Sequence, residues 1–224
     1  MKLLLTAATE GEIMPLIHYL QQYQQFNMPL LYKKHSKEIQ ICITGVGQVA
    51  TAYAVTKALQ STKYDLALQA GVGGSFDKNI ALGDLVFITS ERYGDMGAED
   101  HEKYIDVFDM GLMAGDKAPY INNNLVTPLL PIHEKIQLQR VSGLTVNTVS
   151  GNETTIQRRA EAYQSQVESM EGAAFHYVCL NEQVPFAQIR GISNYVEPRD
   201  KSKWKMKDAI IALNKWLINF LETV

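Results

Sequence analysis

Short apolar runs alternate with stretches of helical periodicity along the whole chain. The runs that predict strands cover residues 2–8, 39–44, 65–70, 84–89, 144–149 and 186–192. The stretches that predict helices cover residues 12–23, 49–59, 167–180 and 207–221. Strands that alternate with helices favour a mostly parallel sheet covered on both faces, so we expect an α/β fold. Because no linker or repeat divides the chain, we expect a single domain over residues 1–224.

The middle of the chain, residues 90–131, breaks this alternation. It contains several glycines and three consecutive asparagines, which are typical of turns and loops. A loop of this length inside a compact domain is usually functional or an oligomer contact. We therefore expect one of these two roles for it.

The composition excludes several classes of protein. With 21 Lys and Arg against 24 Asp and Glu, the net charge is −3. The basic cluster that nucleic-acid binding needs is missing from the sequence. The apolar run at residues 3–5 is too short for a signal peptide or a membrane span. Cys42 and Cys179 lie in apolar runs and the five histidines lack metal-ligand spacing, so we expect a cytoplasmic protein without a metal site.

Two glycine clusters follow predicted strands. The first, residues 45–50, matches the dinucleotide-binding pattern G-x-G-x-x-G/A in outline. That pattern also needs an acidic residue at the end of the next strand, whereas Asp65 lies at its start, so nicotinamide binding is only an alternative. The second cluster contains Gly71, Val72 and Gly73. It predicts a ligand close against bare backbone, with tight packing as the other explanation.

Charged and amide side chains lie where several predicted elements end. Glu12 follows the first strand, and Glu171 lies among apolar neighbours, where a carboxylate is costly unless something pairs with it. Arg190 and Asn194 lie at the end of the last predicted strand. Ligands of α/β sheets bind beyond the carboxyl ends of the strands, so these groups predict a site that activates water and holds a polar ligand. A helix N-terminal charge at Glu12 and a turn residue at Asn194 are the purely structural alternatives.

The order of these motifs resembles the nucleoside phosphorylase/nucleosidase family over nearly the whole chain. The matching segments are residues 9–12, 43–47, 70–74, 82–86, 92–95, 150–152, 169–171 and 190–194. The resemblance implies a three-layer αβα fold around a central mixed, mostly parallel sheet. It also implies a small-molecule nucleoside substrate, no cofactor, and a homo-oligomer, for which a dimer is the first expectation.

The loop after the first strand distinguishes water from phosphate as the nucleophile. Family phosphorylases carry a glycine-proline-arginine loop there and a second arginine on the strand that enters the second glycine cluster, and both hold phosphate. This chain has Glu10 and Glu12 in the first loop and no arginine at residues 66–71. A phosphate dianion beside these carboxylates would be electrostatically unfavourable, so the resemblance implies a hydrolase.

Asn194 indicates the branch of the family. By resemblance, the methylthioadenosine/S-adenosylhomocysteine nucleosidases have an aspartate here, which serves purine N7 and the 6-amino group. The amide of Asn194 can instead donate to N7 or O6 of a 6-oxopurine. Together with residues 92–95 and 194–200, this resembles the futalosine hydrolases, which release hypoxanthine from futalosine in menaquinone biosynthesis. An adenosine-type nucleosidase and a non-catalytic nucleoside-binding module stay open as alternatives.

The resemblance also implies roles around the attacking water. Glu12 would deprotonate the water, and Glu171 would bind the ribose 2′-hydroxyl. Arg190 would hold Glu171 or the water. Gly71 is a departure, because the nucleosidases have a serine there that helps to hold the water.

Other residues would contact the sugar, the base and the 5′ substituent. Met170 would pack against the sugar and Asn194 would face the base. The segment that contains Thr154 and Thr155 would supply backbone contacts to the pyrimidine edge of the base. The loop at residues 92–104 would hold the aromatic acid on the 5′ side. The candidate partners of its carboxylate are Arg92, His101 and Lys103.

Overall fold

The protein is built on one large mixed sheet with helices on both faces. The structure, a computed structural model, describes residues 1–25, 30–101 and 103–224. Its strands are β1 (Lys2–Ala7), β2 (Leu31–Lys34), β3 (Lys37–Ile43), β4 (Leu66–Ser75), β5 (Leu85–Tyr93), β6 (Gly97–Asp100), β7 (Lys103–Asp106), β8 (Tyr120–Ile121), β9 (Asn124–Val126), β10 (Gln139–Thr145), β11 (Val167–Ser169) and β12 (Phe186–Tyr195). Its α-helices are α1 (Glu10–Leu20), α2 (Gln48–Ser61), α3 (Glu153–Tyr163), α4 (Gly172–Asn181) and α5 (Met206–Thr223). None of the helices in these ranges is long and apolar enough to cross a membrane.

Apolar side chains along β1 cover both faces of the sheet. Leu3 and Leu5 pack with α1 and α5 in one core cluster, whereas Leu4 packs with α2 and α4 in another. All three leucines are fully buried, because successive side chains of a strand point to opposite faces. The expected αβα layers around a central mixed sheet are confirmed.

Part of the sheet closes on itself, which the sequence pattern does not predict. β12 pairs in parallel with β4 and antiparallel with β5. β10 and β11 connect β5 back to β4, so these five strands form a ring. β1, β3 and β2 extend the sheet from β4, and β9 and β8 extend it from β5.

β4 runs on through the second glycine cluster instead of ending before it. The sequence predicts a strand at residues 65–70 and then a turn, but the strand continues to Ser75 alongside β12. A side chain at Gly73 would place its Cβ 2.9 Å from Val167 Cγ1 and 3.0 Å from the Glu168 carbonyl oxygen. The missing side chain therefore lets β4 pass close to β11.

The predicted helix at residues 167–180 is in fact a strand followed by a helix. Val167–Ser169 forms β11, and α4 begins only at Gly172. Apolar flanks cannot distinguish a short buried strand from a buried helical turn. As a result, Glu171 is the N-cap of α4 rather than an interior helix residue.

Two further predictions were wrong. β10 spans Gln139–Thr145 rather than residues 144–149, because its polar first half pairs with β5. The segment at residues 90–131, predicted as a loop, contains the end of β5 and the short strands β6 to β9. Residue 102 of that segment lies outside the described residues. β2 and α3 lack a clear apolar pattern and were not predicted.

α1, which carries Glu12, is kinked and held by α5. Ile13 has non-helical backbone angles (φ −126°, ψ 15°) and Pro15 lacks an amide hydrogen. The buried Asn214 of α5 accepts a hydrogen bond from the Leu16 amide at 3.0 Å and donates one to the Glu12 carbonyl at 2.8 Å. These two groups would bond each other in a regular helix, so Asn214 bridges the opened turn.

Replacement of Asn214 by leucine leaves both backbone groups unpaired in the core. At about 1–3 kcal/mol for each of the two buried groups that lose their partner, we expect Asn214→Leu to lower the free energy of unfolding by about 2–6 kcal/mol. Urea denaturation measures this, with Asn219→Leu on the exposed face of α5 as the matched control. Equal midpoints for the two variants would show that the bridge does not stabilise the protein.

Candidate active site

A cavity of about 430 Å³ opens at the carboxyl ends of β1, β4 and β12. This is the edge at which α/β sheets bind ligands. Its lining includes residues from the loop after β1 with the start of α1, from the second glycine cluster, from the β11–α4 junction and from the end of β12. The predicted site residues among them are Glu12, Val72, Gly73, Met170, Glu171 and Asn194.

Glu12 is held through both oxygens of its carboxylate. The Thr9 amide and hydroxyl donate to Oε2 at 3.0 and 3.2 Å, and the Val72 amide donates to Oε1 at 3.1 Å. Thr9 is the N-cap of α1, so Glu12 supplies the carboxylate of a capping box. The contact with Val72 attaches this carboxylate to β4 beside the cavity.

Glu171 is 5% exposed and connects α4 to two other elements. Its Oε1 accepts a hydrogen bond from the Gly47 amide at 3.1 Å, and its Oε2 pairs with Arg190 Nη1 at 3.3 Å. Gly47 is the N-cap of α2 and has a φ of 91°, which favours glycine. In a dinucleotide-binding turn this amide would donate to a phosphate of the cofactor, whereas here the Gly47 amide donates to Glu171.

Arg190 is almost fully buried, at 1% exposure, beneath the cavity. Besides Glu171, Nη1 donates to the Val72 carbonyl at 3.2 Å, and Nη2 donates to Gln69 Oε1 at 3.1 Å. Both terminal nitrogens of the guanidinium thus have oxygen acceptors, which come from β4 and from the start of α4. Its position depends on these acceptors because an unpaired buried charge is very costly.

Gly71 makes room for this guanidinium. A Cβ at position 71 would lie 2.5 Å from Arg190 Nη1 and 2.9 Å from Glu12 Oε1. The guanidinium therefore occupies the space into which a side chain at this position would project. The departure from the nucleosidase serine leaves Arg190 and Glu12 facing each other across bare backbone.

Asn194 lies just after an irregularity in the pairing of β12 with β4. Its Nδ2 donates to the Tyr195 carbonyl at 2.9 Å, and its Oδ1 accepts from Ser193 Oγ at 2.8 Å. These contacts fix the orientation of the amide. Because Nδ2 carries two hydrogens, one remains for a ligand in the cavity.

Thr154 and Thr155 lie outside the cavity lining. Both are in the first turn of α3, where the Thr155 amide donates to the N-cap side chain of Asn152 at 2.9 Å. This amide is therefore engaged in the cap. Of the segment predicted to contact the base, residues 150–155, Ser150 lines the cavity, next to Val149 before it.

The three basic residues predicted to hold a substrate carboxylate are also outside the cavity lining. Arg92 pairs with Asp106 at 2.7 Å and lies over the ring of Tyr163. His101 and Lys103 are exposed near the turn between β6 and β7. The structure therefore brings none of the three to the described cavity.

A buried ion-pair network that the sequence did not predict lies behind the cavity. Glu168, which lines the cavity, pairs with Arg159 at 3.3 Å and accepts hydrogen bonds from the Ser150 amide and hydroxyl at 2.8 and 2.6 Å. Arg159 is 3% exposed and also contacts the Thr148 carbonyl at 2.8 Å and Asp95 at 3.5 Å. The network fixes the loop after β10 against the cavity. The sequence does not indicate that Arg159 is buried, because α3 has few apolar residues around it.

The arrangement concentrates two carboxylates and one guanidinium at one end of the cavity. Glu12 and Glu171 together exceed the charge of Arg190, so this end favours positive charge on a ligand. Fixed carboxylates can polarise a water molecule and stabilise a developing cation. The geometry is suited to cleavage of a glycosidic bond.

Comparison with known proteins agrees with this chemistry. The family model described as the phosphorylase superfamily matches residues 2–222. The chain belongs to this superfamily. The family predicted from the sequence is therefore confirmed.

Relatives within the superfamily carry two different names. A futalosine hydrolase from Thermus thermophilus is 30% identical over 172 residues, which are 76% of this chain and 75% of that one. A 5′-methylthioadenosine/S-adenosylhomocysteine nucleosidase from Glaesserella parasuis is 28% identical over 173 residues, which are 74% and 71% of the two chains. Both names denote enzymes that cleave purine nucleosides with water, so the prediction of an N-glycosyl hydrolase is confirmed at this level.

A solved structure of a nucleosidase has the same fold. It is the 5′-methylthioadenosine/S-adenosylhomocysteine nucleosidase from Helicobacter pylori with butyl-thio-DADMe-Immucillin-A, which superposes with a TM-score of 0.81. The alignment covers 100% of this chain and 98% of that one at 18% identity. At this identity the likeness shows the fold alone.

A methyl group at position 71 forces Arg190 or Glu12 to move. Displacement of a positioning group by about 1 Å can cost on the order of 10²-fold in rate, so we expect Gly71→Ala to lower kcat for a purine nucleoside by about that factor. Steady-state kinetics checks this against Ser61→Ala, at an exposed residue at the end of α2 that lies outside the cavity lining. Unchanged kcat in Gly71→Ala would contradict the packing of the guanidinium against Gly71.

Proposed function

We propose that the protein is a futalosine hydrolase, which cleaves the N-glycosidic bond of futalosine with water and releases hypoxanthine and dehypoxanthine futalosine. The observation that carries the proposal is the pair of carboxylates, Glu12 and Glu171, held around Arg190 at one end of the cavity. The cavity of about 430 Å³ is within the usual range for small-molecule sites.

The charges at this end favour water over phosphate as the nucleophile. Arg190 is buried, and its guanidinium already binds Glu171, Gln69 and the Val72 carbonyl. A phosphate dianion at this end would therefore lie beside two carboxylates while the guanidinium of Arg190 is already bound to other acceptors. A water molecule can instead donate a hydrogen bond to Glu12.

The mechanism follows from the positions of the two carboxylates. Glu12 takes a proton from the water as its oxygen attacks C1′ of the ribose, and the bond from C1′ to the purine nitrogen breaks with its electrons going to the base. The departing base takes up a proton from solvent, and Glu12 releases the proton that it took from the water. Glu171 binds the 2′-hydroxyl, and both carboxylates stabilise the positive charge that develops on the sugar. A general base contributes about 10²–10⁴-fold to the rate.

Asn194 supports a 6-oxopurine as the leaving base. An amide cannot act as a general acid, but its remaining N–H can donate to N7 or O6 of hypoxanthine. The contacts with Ser193 and Tyr195 hold this N–H in a fixed direction. Met170, which lines the cavity, would pack against the sugar.

A methylthioadenosine/S-adenosylhomocysteine-type nucleosidase is the second candidate. The relative from Glaesserella parasuis at 28% identity favours it, and the same carboxylates would serve the same bond cleavage. The two candidates differ at the base, where a 6-amino group needs an acceptor and a 6-oxo group needs a donor. The 5′ substituent also differs, being an aromatic acid only in futalosine.

Release of hypoxanthine from futalosine in phosphate-free buffer tests the proposal. We expect turnover without phosphate, faster on futalosine than on methylthioadenosine, and a loss of about 10²–10⁴-fold in kcat for Glu12→Gln, which removes the general base. Glu134→Gln, at an exposed carboxyl far from the cavity lining, is the control. A strict need for phosphate would indicate a phosphorylase, and faster turnover of methylthioadenosine would favour the second candidate.

Asn194→Asp exchanges a hydrogen-bond donor for an acceptor at the base. We expect the ratio of kcat/KM for methylthioadenosine to that for futalosine to rise by about 10-fold or more, since one well-placed hydrogen bond to a charged group contributes about 1.5–3 kcal/mol. Chromatographic assay of adenine and hypoxanthine measures both rates. If the ratio stays constant, Asn194 does not read the 6-position or N7.

Two further features of the protein are also part of the proposal. Val46, Val49 and Tyr53 are 56%, 84% and 70% exposed, and Val46 lines the cavity. Exposed apolar patches commonly mark protein contacts, which supports a homodimer in which a second copy covers this edge of the site.

The free thiols of Cys42 and Cys179 agree with a cytoplasmic location.

A further inference from the structure

A further buried carboxyl group, that of Glu91 on β5, lies beneath the start of α4. It is 1% exposed and lies outside the cavity lining. Its Oε2 accepts a hydrogen bond from Thr145 Oγ1 at 2.8 Å, and Thr145 Oγ1 accepts one from the Ala173 amide at 2.7 Å. Gly172 lies so close that any Cβ there would collide with Glu91 Oε1. Glu91 therefore supports the backbone that directly follows Glu171.

The groups that bind Glu91 are neutral. Besides the Thr145 hydroxyl, Glu91 binds the amide of Gln188, whose Nε2 donates to Glu91 Oε1 at 3.0 Å. The charged or titratable groups that face Glu91 from farther away are Arg190 on β12, Glu171 before α4 and Tyr93 on its own strand. An ionised carboxylate with only neutral partners is costly in a protein interior.

Two buried atoms beside Glu91 lack a hydrogen-bond partner within the described part of the chain, Gln188 Oε1 and His176 Nε2. His176 Nδ1 lies 3.1 Å from the Leu125 carbonyl oxygen, so Nδ1 carries the hydrogen. Burial lowers the pKa of His176 to about 4, so the ring is neutral and Nε2 is an acceptor. The Gln188 side chain faces this ring, and with its Nε2 turned to Glu91 its oxygen meets a second acceptor.

Rotation of the Gln188 amide by a half-turn removes this mismatch. The two ends of the amide have nearly the same shape, so their assignment follows from the hydrogen bonds they make. After rotation, Nε2 donates to His176 Nε2 and Oε1 faces Glu91 Oε1. Two oxygens can form a hydrogen bond only if Glu91 carries a proton. Glu91 Oε2 still accepts from Thr145, and every polar atom of the cluster then has a partner.

We propose that Glu91 is a protonated, uncharged carboxylic acid that supports the first turn of α4 and thereby positions Glu171. It is a positioning residue, since it acts through Thr145, Gly172 and Ala173 and does not reach the cavity. The role of Glu171 in hydrolysis rests on the proposed function. The proton on Glu91 does not, because it follows from the buried contacts alone.

The electrostatics of the cluster agree with this proton. Burial raises the pKa of Glu91 to about 7 and the charge of Glu171 adds to the rise, whereas hydrogen bonds from Gln188 and Thr145 and the charge of Arg190 lower it. Rotation of the Gln188 amide removes one of the lowering contributions. This pKa exceeds the ordinary value of 4.5, so the proton on Glu91 stabilises the folded protein. This contribution to the free energy of unfolding is complete below pH 4.5 and is lost as the pH rises through about 7.

Glu91→Gln tests the proposal because glutamine copies the shape and hydrogen bonds of a protonated glutamate. At pH 6 we expect a kcat within about threefold of the native value, against a loss of about 10-fold or more in Glu91→Ala with a smaller change in KM. The melting temperature of Glu91→Gln relative to the native protein should rise between pH 5 and pH 8, since only the native protein loses the proton. Glu134→Gln is the matched control.

Infrared difference spectroscopy of the protein without substrate observes the proton directly. We expect a carbonyl band of a protonated carboxylic acid at pH 6 that is absent in Glu91→Gln and present in Glu134→Gln. Absence of this band in the native protein, or a loss of 10-fold or more in kcat for Glu91→Gln at pH 6, would overturn the proposal. If Glu91→Ala fails to fold, the spectrum and Glu91→Gln still decide. A protein that shows the band but hydrolyses no nucleoside would contradict the proposed function alone.

Discussion

The buried guanidinium of Arg190 is the interaction on which the rest of the site depends. A cation at 1% exposure is stable only if acceptors surround it. Those acceptors come from Gln69 and Val72 on β4 and from Glu171 at the start of α4. The guanidinium fits because position 71 has no side chain. The position of Glu171 therefore depends on the packing of β4, β12 and α4 against one another.

The N-termini of three helices also stabilise the two carboxylates of the site. Glu12 lies in the first turn of α1, and Glu171 is the N-cap of α4 and also accepts from the N-terminal Gly47 of α2. The positive ends of three helix dipoles therefore meet near two carboxylates, and each stabilises negative charge there. Asn214 contributes by holding the open turn of α1 that follows Glu12. The negative potential at this end of the cavity is thus built into the packing of the helices.

Much of this could be predicted from the sequence, because several signals are local. The apolar runs locate β1, β3 and β12, and the apolar face of α5 is visible as a period of 3.6. The closure of the ring could not be predicted, since periodicity does not encode that β12 pairs with β4 and β5 at once. The same limit explains the extension of β4 through its glycines, whose cause is the approach of β11.

Some of the site residues could likewise be predicted from the sequence, whereas others could not. Glu12 and Asn194 follow predicted strands, so their position at the sheet edge could be inferred, whereas Glu171 was identified only as a carboxylate among apolar neighbours. The structure brings all three to one cavity. Arg159 could not be found, because its burial depends on Glu168 and Asp95, which lie on other elements. Thr154 was placed by resemblance alone, whereas the local N-cap at Asn152 turns this segment into α3.

The balance of buried charges explains why Glu91 differs from the other acids. Within the described residues, each remaining buried carboxylate has an arginine at 2.7–3.3 Å; the pairs are Asp106–Arg92, Glu168–Arg159 and Glu171–Arg190. Glu91 has only the Thr145 hydroxyl and the Gln188 amide. If Glu91 were ionised, Arg190 would face a second carboxylate besides that of Glu171. A proton on Glu91 leaves the charge of Arg190 to its ion pair with Glu171, so the charge that acts on the substrate depends on a group that lies outside the cavity lining.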